Sequence, residues 1–112
     1  MSYEIELKGK HCRPCEGGNP PMTEEHARAF LPQVPEWELK GKEIVRTFAF
    51  KNHYRTMAFV NAVAFISHRE DHHPTMEVGY KACTIRYSTH AIGGLSENDF
   101  ICAAKVNALL QD

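Results

Sequence analysis

Residues 52 to 74, "NHYRTMAFVNAVAFISHREDHHP", decide how the chain is laid out, because they read as one long helix with a marked beginning and end. Asn52 is a capping residue, and apolar side chains recur at helical spacing through Tyr54, Ala58, Ala62 and Phe65, with Met57 and Val60 to Val63 widening the stripe. The expectation is a core helix from about His53 to Arg69 with that stripe facing inward. His73 precedes Pro74, and a residue before proline is pushed out of the α region, so the paired histidines fall just beyond the helix end.

Working outward, "WELKGKEIVRTFAF" (37–50) reads as a hairpin turning at Gly41-Lys42. Residues 76 to 80 and "KACTIRYSTH" (81–90) read as a second strand pair, with Cys83, Ile85 and Tyr87 alternating against Thr84, Arg86 and Ser88. An earlier helix starts at Thr23, with Glu24 and Glu25 in its first turn, and is stopped near Leu31 by Pro32 and Pro35. Gly93-Gly94 turns the chain, and "SEND" (96–99) has capping-box spacing before a last helix through Phe100, Ala103, Ala104 and Asn107. The order α-β-β-α-β-β-α predicts an α+β fold, a four-stranded antiparallel sheet with helices on one face.

The chain has 112 residues and a formal charge of -1, with its basic residues scattered. That length suits a single domain, expected over 23–112 behind an N-terminal segment, 1–22, which carries a Cys-x-x-Cys loop. No basic block points to nucleic acid, and no apolar run approaches the roughly 20 residues of a membrane span. A cytoplasmic location is expected. The sheet's two edges lack strong defence by proline or inward charge, so a homo-oligomer is expected as well.

Four cysteines are present. Cys83 and Cys102 sit in apolar-periodic stretches and read as core residues. Cys12 and Cys15, with His11 beside them, read as a reduced surface loop outside the folded body; a metal half-site is the competing reading, although no second pair completes four ligands.

Seven histidines in this length is a surplus. His11, His26 and His53 read as surface residues. His72 and His73 at a helix exit and His90 at a strand end are different, since an antiparallel fold can bring these places together. Imidazoles titrate near neutral pH, so such a group can divide acid and base work. A metal site using His68, His72 and His90 is the sharper competitor, His68 standing four residues before His72. No serine elbow, phosphate loop or dinucleotide motif offers another chemistry. On position alone Asp99 reads as a helix cap.

The stretches "CEGGNPPMTEE", "VPEWEL", "FKNHYRTMAFVNAVA", "DHHP" and "YSTHAIGGLSENDF" resemble the pterin-4a-carbinolamine dehydratase family, also described as the dimerization cofactor of a hepatocyte nuclear factor. The resemblance implies dehydration of a 4a-hydroxytetrahydropterin to the quinonoid dihydropterin, without cofactor or metal. It implies His72, His73 and His90 as catalytic residues, with His72 and His90 moving protons and His73 mainly binding. Ser88, Thr89 and Asp99 resemble the family's pocket-lining and supporting positions. A homodimer or homotetramer with a pterin as its small-molecule partner is implied, the dimer continuing the sheet; a transcription-cofactor role is the alternative. Two departures stand out: His68 replaces a glutamate usual in the family, and Met76 a tryptophan frequent in animal members. With His68 and His72 expected as i,i+4 neighbours, Glu70 or Asp71 is expected to take over support of His72.

Overall fold

The computed structural model describes residues 7–14 and 20–110. Helix α1, Glu24–Phe30, starts where the Thr23 side chain accepts the His26 amide, and it runs into a 3-10 turn at Leu31–Gln33. Strands β1, Glu38–Lys40, and β2, Glu43–Ala49, form the hairpin around Gly41, whose φ of 62° is left-handed. Helix α2 is His53–Glu70, capped by Asn52. Strands β3, Thr75–Val78, and β4, Ala82–Tyr87, follow, and helix α3, Glu97–Ala108, ends the described chain.

The sheet order is β1-β2-β4-β3, antiparallel throughout. Its register pairs Ile44 with Tyr87 and Phe48 with Cys83, which places these four side chains on the face covered by helices. All are buried. The other face is polar: Thr47 and Thr84 share a 2.7 Å hydrogen bond, and Arg86 pairs with Glu77 and Glu43. Arg46 is the exception in the pattern, an inward position in register with Ile85. Its guanidinium reaches the Asn107 side-chain oxygen at 2.7 Å, which also accepts the Trp37 indole N–H at 2.8 Å, while the Asn107 amide donates to the Pro35 carbonyl. The Trp37 N–H and both ends of the Asn107 amide are thereby paired, so their burial is tolerated.

The face of α2 that packs inward is only partly the expected one: of the expected stripe, Val63 is buried and Val60 packs against the core. Thr56, Phe59, Val63, Ser67 and Glu70 are buried, with the Phe59 ring in tilted contact with those of Phe48 and Phe50. Tyr54, Met57 and Phe65, expected in the core, are exposed, Tyr54 by 81 %. The helix carries apolar side chains on two faces, so periodicity alone admits both, and the sheet selects the face with Phe59 and Val63.

The N-terminal segment also departs from expectation. Residues 7–14, expected outside the body, pack on α3: Leu7 is buried in the core, and a 3-10 turn at Leu7–Gly9 lies against that helix. Glu70 provides the anchor. It is buried at the end of α2 and accepts the Cys12 amide at 2.7 Å and His11 Nδ1 at 3.0 Å, with Lys105 at 3.6 Å. Burial pushes the Glu70 carboxyl up, but these partners outweigh it and hold it below the usual carboxylate range. Cys15 lies outside the described residues.

Phe59→Ala should therefore lower unfolding stability by about 3–5 kcal/mol, the usual range for a deleted core aromatic. Chemical denaturation checks this, and a loss below about 1 kcal/mol would return the core face of α2 to Tyr54 and Ala58.

Candidate active site

The end of α2 sets the position of the paired histidines. Asp71 is left-handed at φ 53°, the Asp71 amide donates to the His68 carbonyl, and the His72 amide reaches back to the Ser67 carbonyl at 3.2 Å. This Schellman-type stop turns the chain before His72. His68 and His72 are therefore not neighbours on one helical face, contrary to expectation. His68 is exposed, and neither Glu70 nor Asp71 makes a hydrogen bond to the His72 ring; Glu70 is committed to the N-terminal segment.

His72 is instead held by α3. Its Nε2 lies 2.6 Å from Oδ1 of Asp99, whose side chain is fully buried. The other carboxylate oxygen accepts the Ser96 amide at 3.0 Å and the Thr89 hydroxyl at 2.8 Å. Because Thr89 gives its only proton to Asp99, the 2.8 Å contact between Thr89 and Ser96 runs from the Ser96 hydroxyl to the Thr89 oxygen. Asp99 is thus a helix cap and the partner of a histidine at once, where its position in the sequence pointed to the cap and the family resemblance to a place in the site.

A carboxylate takes a proton only as an acceptor, so the His72 Nε2 carries hydrogen and Nδ1 of the neutral ring is left with its lone pair. The ring also stacks on Tyr87, with centroids 5.8 Å apart and planes 5° from parallel. Burial pushes the Tyr87 phenol up, so that surface stays uncharged. For His72, burial disfavours the imidazolium, but the hydrogen bond and charge of Asp99, with Cys102 and Asp71 behind them, outweigh it and raise the pKa above the ordinary 6.5.

His90 is brought to the same place by a different device. After β4 the chain makes a 3-10 turn at His90–Ile92, closed by Gly93 at φ 71° and by reciprocal Thr89–Gly94 backbone bonds. Gly94 has no room for a side chain, since a Cβ there would stand 2.7 Å from Cβ of Pro21. His72, His73, His90, Ser88 and Thr89 then line one cavity of about 390 Å³. Asp99 does not line it; it stands behind His72. Arg13, Pro14 and Asn98 are lining residues that the sequence did not suggest. Asn98 was hidden inside the capping motif, and its side-chain oxygen accepts the Arg13 amide at 3.0 Å while its amide donates to the Arg13 carbonyl.

His26 and His53 are exposed, His26 stacked on Phe30 and His53 on Tyr80. Among the described residues no three metal-binding side chains converge in a way that suits a metal ion.

A cavity edged by three histidines, one of them fixed by a buried carboxylate, has the makings of a proton-transfer site. The model of the family described as pterin 4 alpha carbinolamine dehydratase matches residues 20–109. The chain belongs to that family. A Nitrosomonas eutropha protein named provisionally as a pterin-4-alpha-carbinolamine dehydratase is 61% identical, with 98% of each chain covered. A Dechloromonas aromatica protein with the same provisional name is 53% identical, with 99% of each covered. Among solved structures, a transcriptional coactivator/pterin dehydratase from Brucella melitensis superposes with a TM-score of 0.77 at 28% identity, covering 81% of this chain and 99% of that one. A pterin dehydratase-like protein described as a RuBisCO assembly factor in the alpha-carboxysome gives 0.56, also at 28% identity, over 65% and 84%. The α+β fold expected for the dehydratase family is the fold observed.

The raised pKa of His72 has a thermodynamic consequence. The native state binds this proton more tightly than the unfolded chain, so the stabilisation is fully present below pH 6.5 and is lost as pH rises through the folded-state value. The melting temperature of the wild type minus that of His72→Gln should be greatest near about pH 6 and shrink towards alkaline pH. A difference that grows with pH would reverse the assigned shift.

Proposed function

We propose that the cavity dehydrates 4a-hydroxytetrahydropterins to quinonoid dihydropterins by histidine acid-base catalysis. The observation that carries this reading is the Asp99–His72 pair, which leaves Nδ1 as the basic nitrogen of an oriented ring that lines a cavity shared with His73 and His90. In the reaction the C4a–O bond breaks as the N5 electron pair forms the C4a=N5 double bond. The leaving oxygen takes a proton and departs as water, and N5 loses its proton. His72 suits the base, since Asp99 stabilises the imidazolium formed when Nδ1 takes the N5 proton. His90 suits the acid that protonates the leaving hydroxyl, and His73 binds the ring system. Ser88 and Thr89 line the same wall, Thr89 with its hydroxyl proton already given to Asp99. The volume falls in the range of roughly 300–1,000 Å³ usual for small-molecule sites. No redox cofactor or metal enters this scheme, and pterin recycling in the cytoplasm is the setting it suits.

Turnover of a 4a-hydroxytetrahydropterin, followed by its loss of absorbance, tests the reading. His72→Ala and His90→Ala should each lower kcat on the order of 10²-fold or more. Asp99→Asn should fall into the same range, because an amide can present a donor to Nε2 and reverse the tautomer. Wild-type turnover in folded His72→Ala would remove that residue from the chemistry.

We extend the reading to a homodimer or homotetramer. Supporting it are the edge strand β3, whose Val78 is exposed, and the uncovered apolar face of α2 with Tyr54, Met57 and Phe65. The strand edge suits a sheet continued between subunits, and the helix face a second interface between dimers. Light scattering should find a tetramer in the wild type and a dimer in Tyr54→Glu/Phe65→Glu; an unchanged mass would take the α2 face out of the assembly.

A further inference from the structure

Behind the cavity lies a pair of thiols that the dehydration does not use. Cys12 and Cys102 are 90 residues apart in sequence, yet their sulfurs are 3.5 Å apart. Cys102 is fully buried on α3, one turn beyond Asp99. Cys12 is half-buried and borders a second cavity with His11, Asn98 and Ile101. The segment that carries Cys12 is held at two points, its own amide on Glu70 and the Arg13 amide on Asn98. The next two residues, Arg13 and Pro14, line the histidine cavity. A covalent change at Cys12 therefore acts on that wall.

We propose that Cys12 and Cys102 are a modification site that forms a reversible disulfide, stapling the N-terminal wall of the histidine cavity to α3. The sulfurs must close by about 1.5 Å to reach bonding distance. Irregular chain at Cys12 can supply that movement, whereas Cys102 is fixed in a helix. The contact also readies the pair. The sulfur–sulfur hydrogen bond lowers the Cys102 pKa against its burial, with the His72 charge assisting and Glu70 and Asp99 opposing; the same hydrogen bond and burial raise Cys12. These directions favour the thiolate on Cys102, whereas Cys12 is the sulfur that faces a cavity, so passage of the shared proton from Cys12 to Cys102 is an uphill step that precedes attack on the oxidant.

A hydroperoxide is an oxidant class small enough to reach the half-buried Cys12 sulfur through the cavity it borders. The Cys12 thiolate attacks one peroxide oxygen, the S–O bond forms, the O–O bond breaks and hydroxide leaves with a proton as water. The Cys102 thiolate then attacks the Cys12 sulfur, forming S–S and releasing the sulfenic oxygen as a second water. Two thiols and one hydrogen peroxide thus yield one disulfide and two waters. Disulfides in reducing compartments are commonly transient and redox-sensing, which is the behaviour a pair beside a catalytic wall would serve.

The test treats the reduced full-length protein with hydrogen peroxide, blocks remaining thiols under denaturing conditions and maps peptides by mass spectrometry. A Cys12–Cys102 cross-link is expected in the wild type and in Cys15→Ser. It should be removed by dithiothreitol and absent from Cys12→Ser and Cys102→Ala. A Cys12–Cys15 bond in its place, or Cys12 and Cys102 both still alkylatable after peroxide, would overturn the proposal. The activity arm rests on the dehydratase reading: kcat/KM should fall by about tenfold or more on oxidation in wild type and Cys15→Ser, recover with dithiothreitol, and hold steady in Cys12→Ser. Cross-linking without a change in rate would overturn the link to the cavity wall. A reduced protein inert towards every 4a-hydroxypterin would sink the dehydratase reading and leave the cross-link map standing.

Discussion

One buried carboxylate ties together the parts that make the site. Asp99 accepts hydrogen bonds from the Ser96 amide at its own helix start, from Thr89 at the exit of β4, and from His72 beyond the end of α2. A charge taken out of water is tolerable only where donors replace the lost solvent, and here both oxygens are supplied. Removing the carboxylate would leave a ring N–H, a hydroxyl and a helix-start amide short of their acceptor. The same contact that closes α3 orients the proposed base, so the capping of α3 and the placing of His72 are one event.

Glu70 is the second such anchor, and it acts on the opposite flank. Its carboxylate takes the Cys12 amide and faces His11 and Lys105, so the chain before α1 becomes part of the body. Through Arg13 and Pro14 this segment then contributes to the cavity. The support for His72 that was expected from Glu70 or Asp71, with histidine at position 68, is thus not supplied by a hydrogen bond from either. With His68 exposed and His72 turned away by the left-handed Asp71, the hydrogen bond that holds the ring comes from across the fold.

The two apolar faces of α2 have separate uses. Phe59 and Val63 meet the sheet, while Tyr54, Met57 and Phe65 are left in solvent. A helix that is apolar on both sides gives no preference from its own periodicity. The choice follows from the register of β2 and β4, which turns Phe48 to the helix side, where it meets Phe59 while Tyr54 stays exposed. The uncovered face is what the proposed assembly would bury.

Local signals were enough for much of this. The caps at Thr23, Asn52 and Ser96, the turn at Gly41 and the alternation of Cys83, Ile85 and Tyr87 each act over a few residues, so the order of elements and the buried side of β4 could be read directly. Proline after His73 likewise announced that the paired histidines stand outside the helix. Only the tertiary structure decided which face of α2 is core, that residues 7–14 belong to the body, and that Asp99 holds His72. Those outcomes depend on groups 27 to 59 residues apart meeting in space, as His72 with Asp99 and His11 with Glu70 do, and on burial that makes such meetings obligatory for polar groups. Short-range pattern carries no record of either.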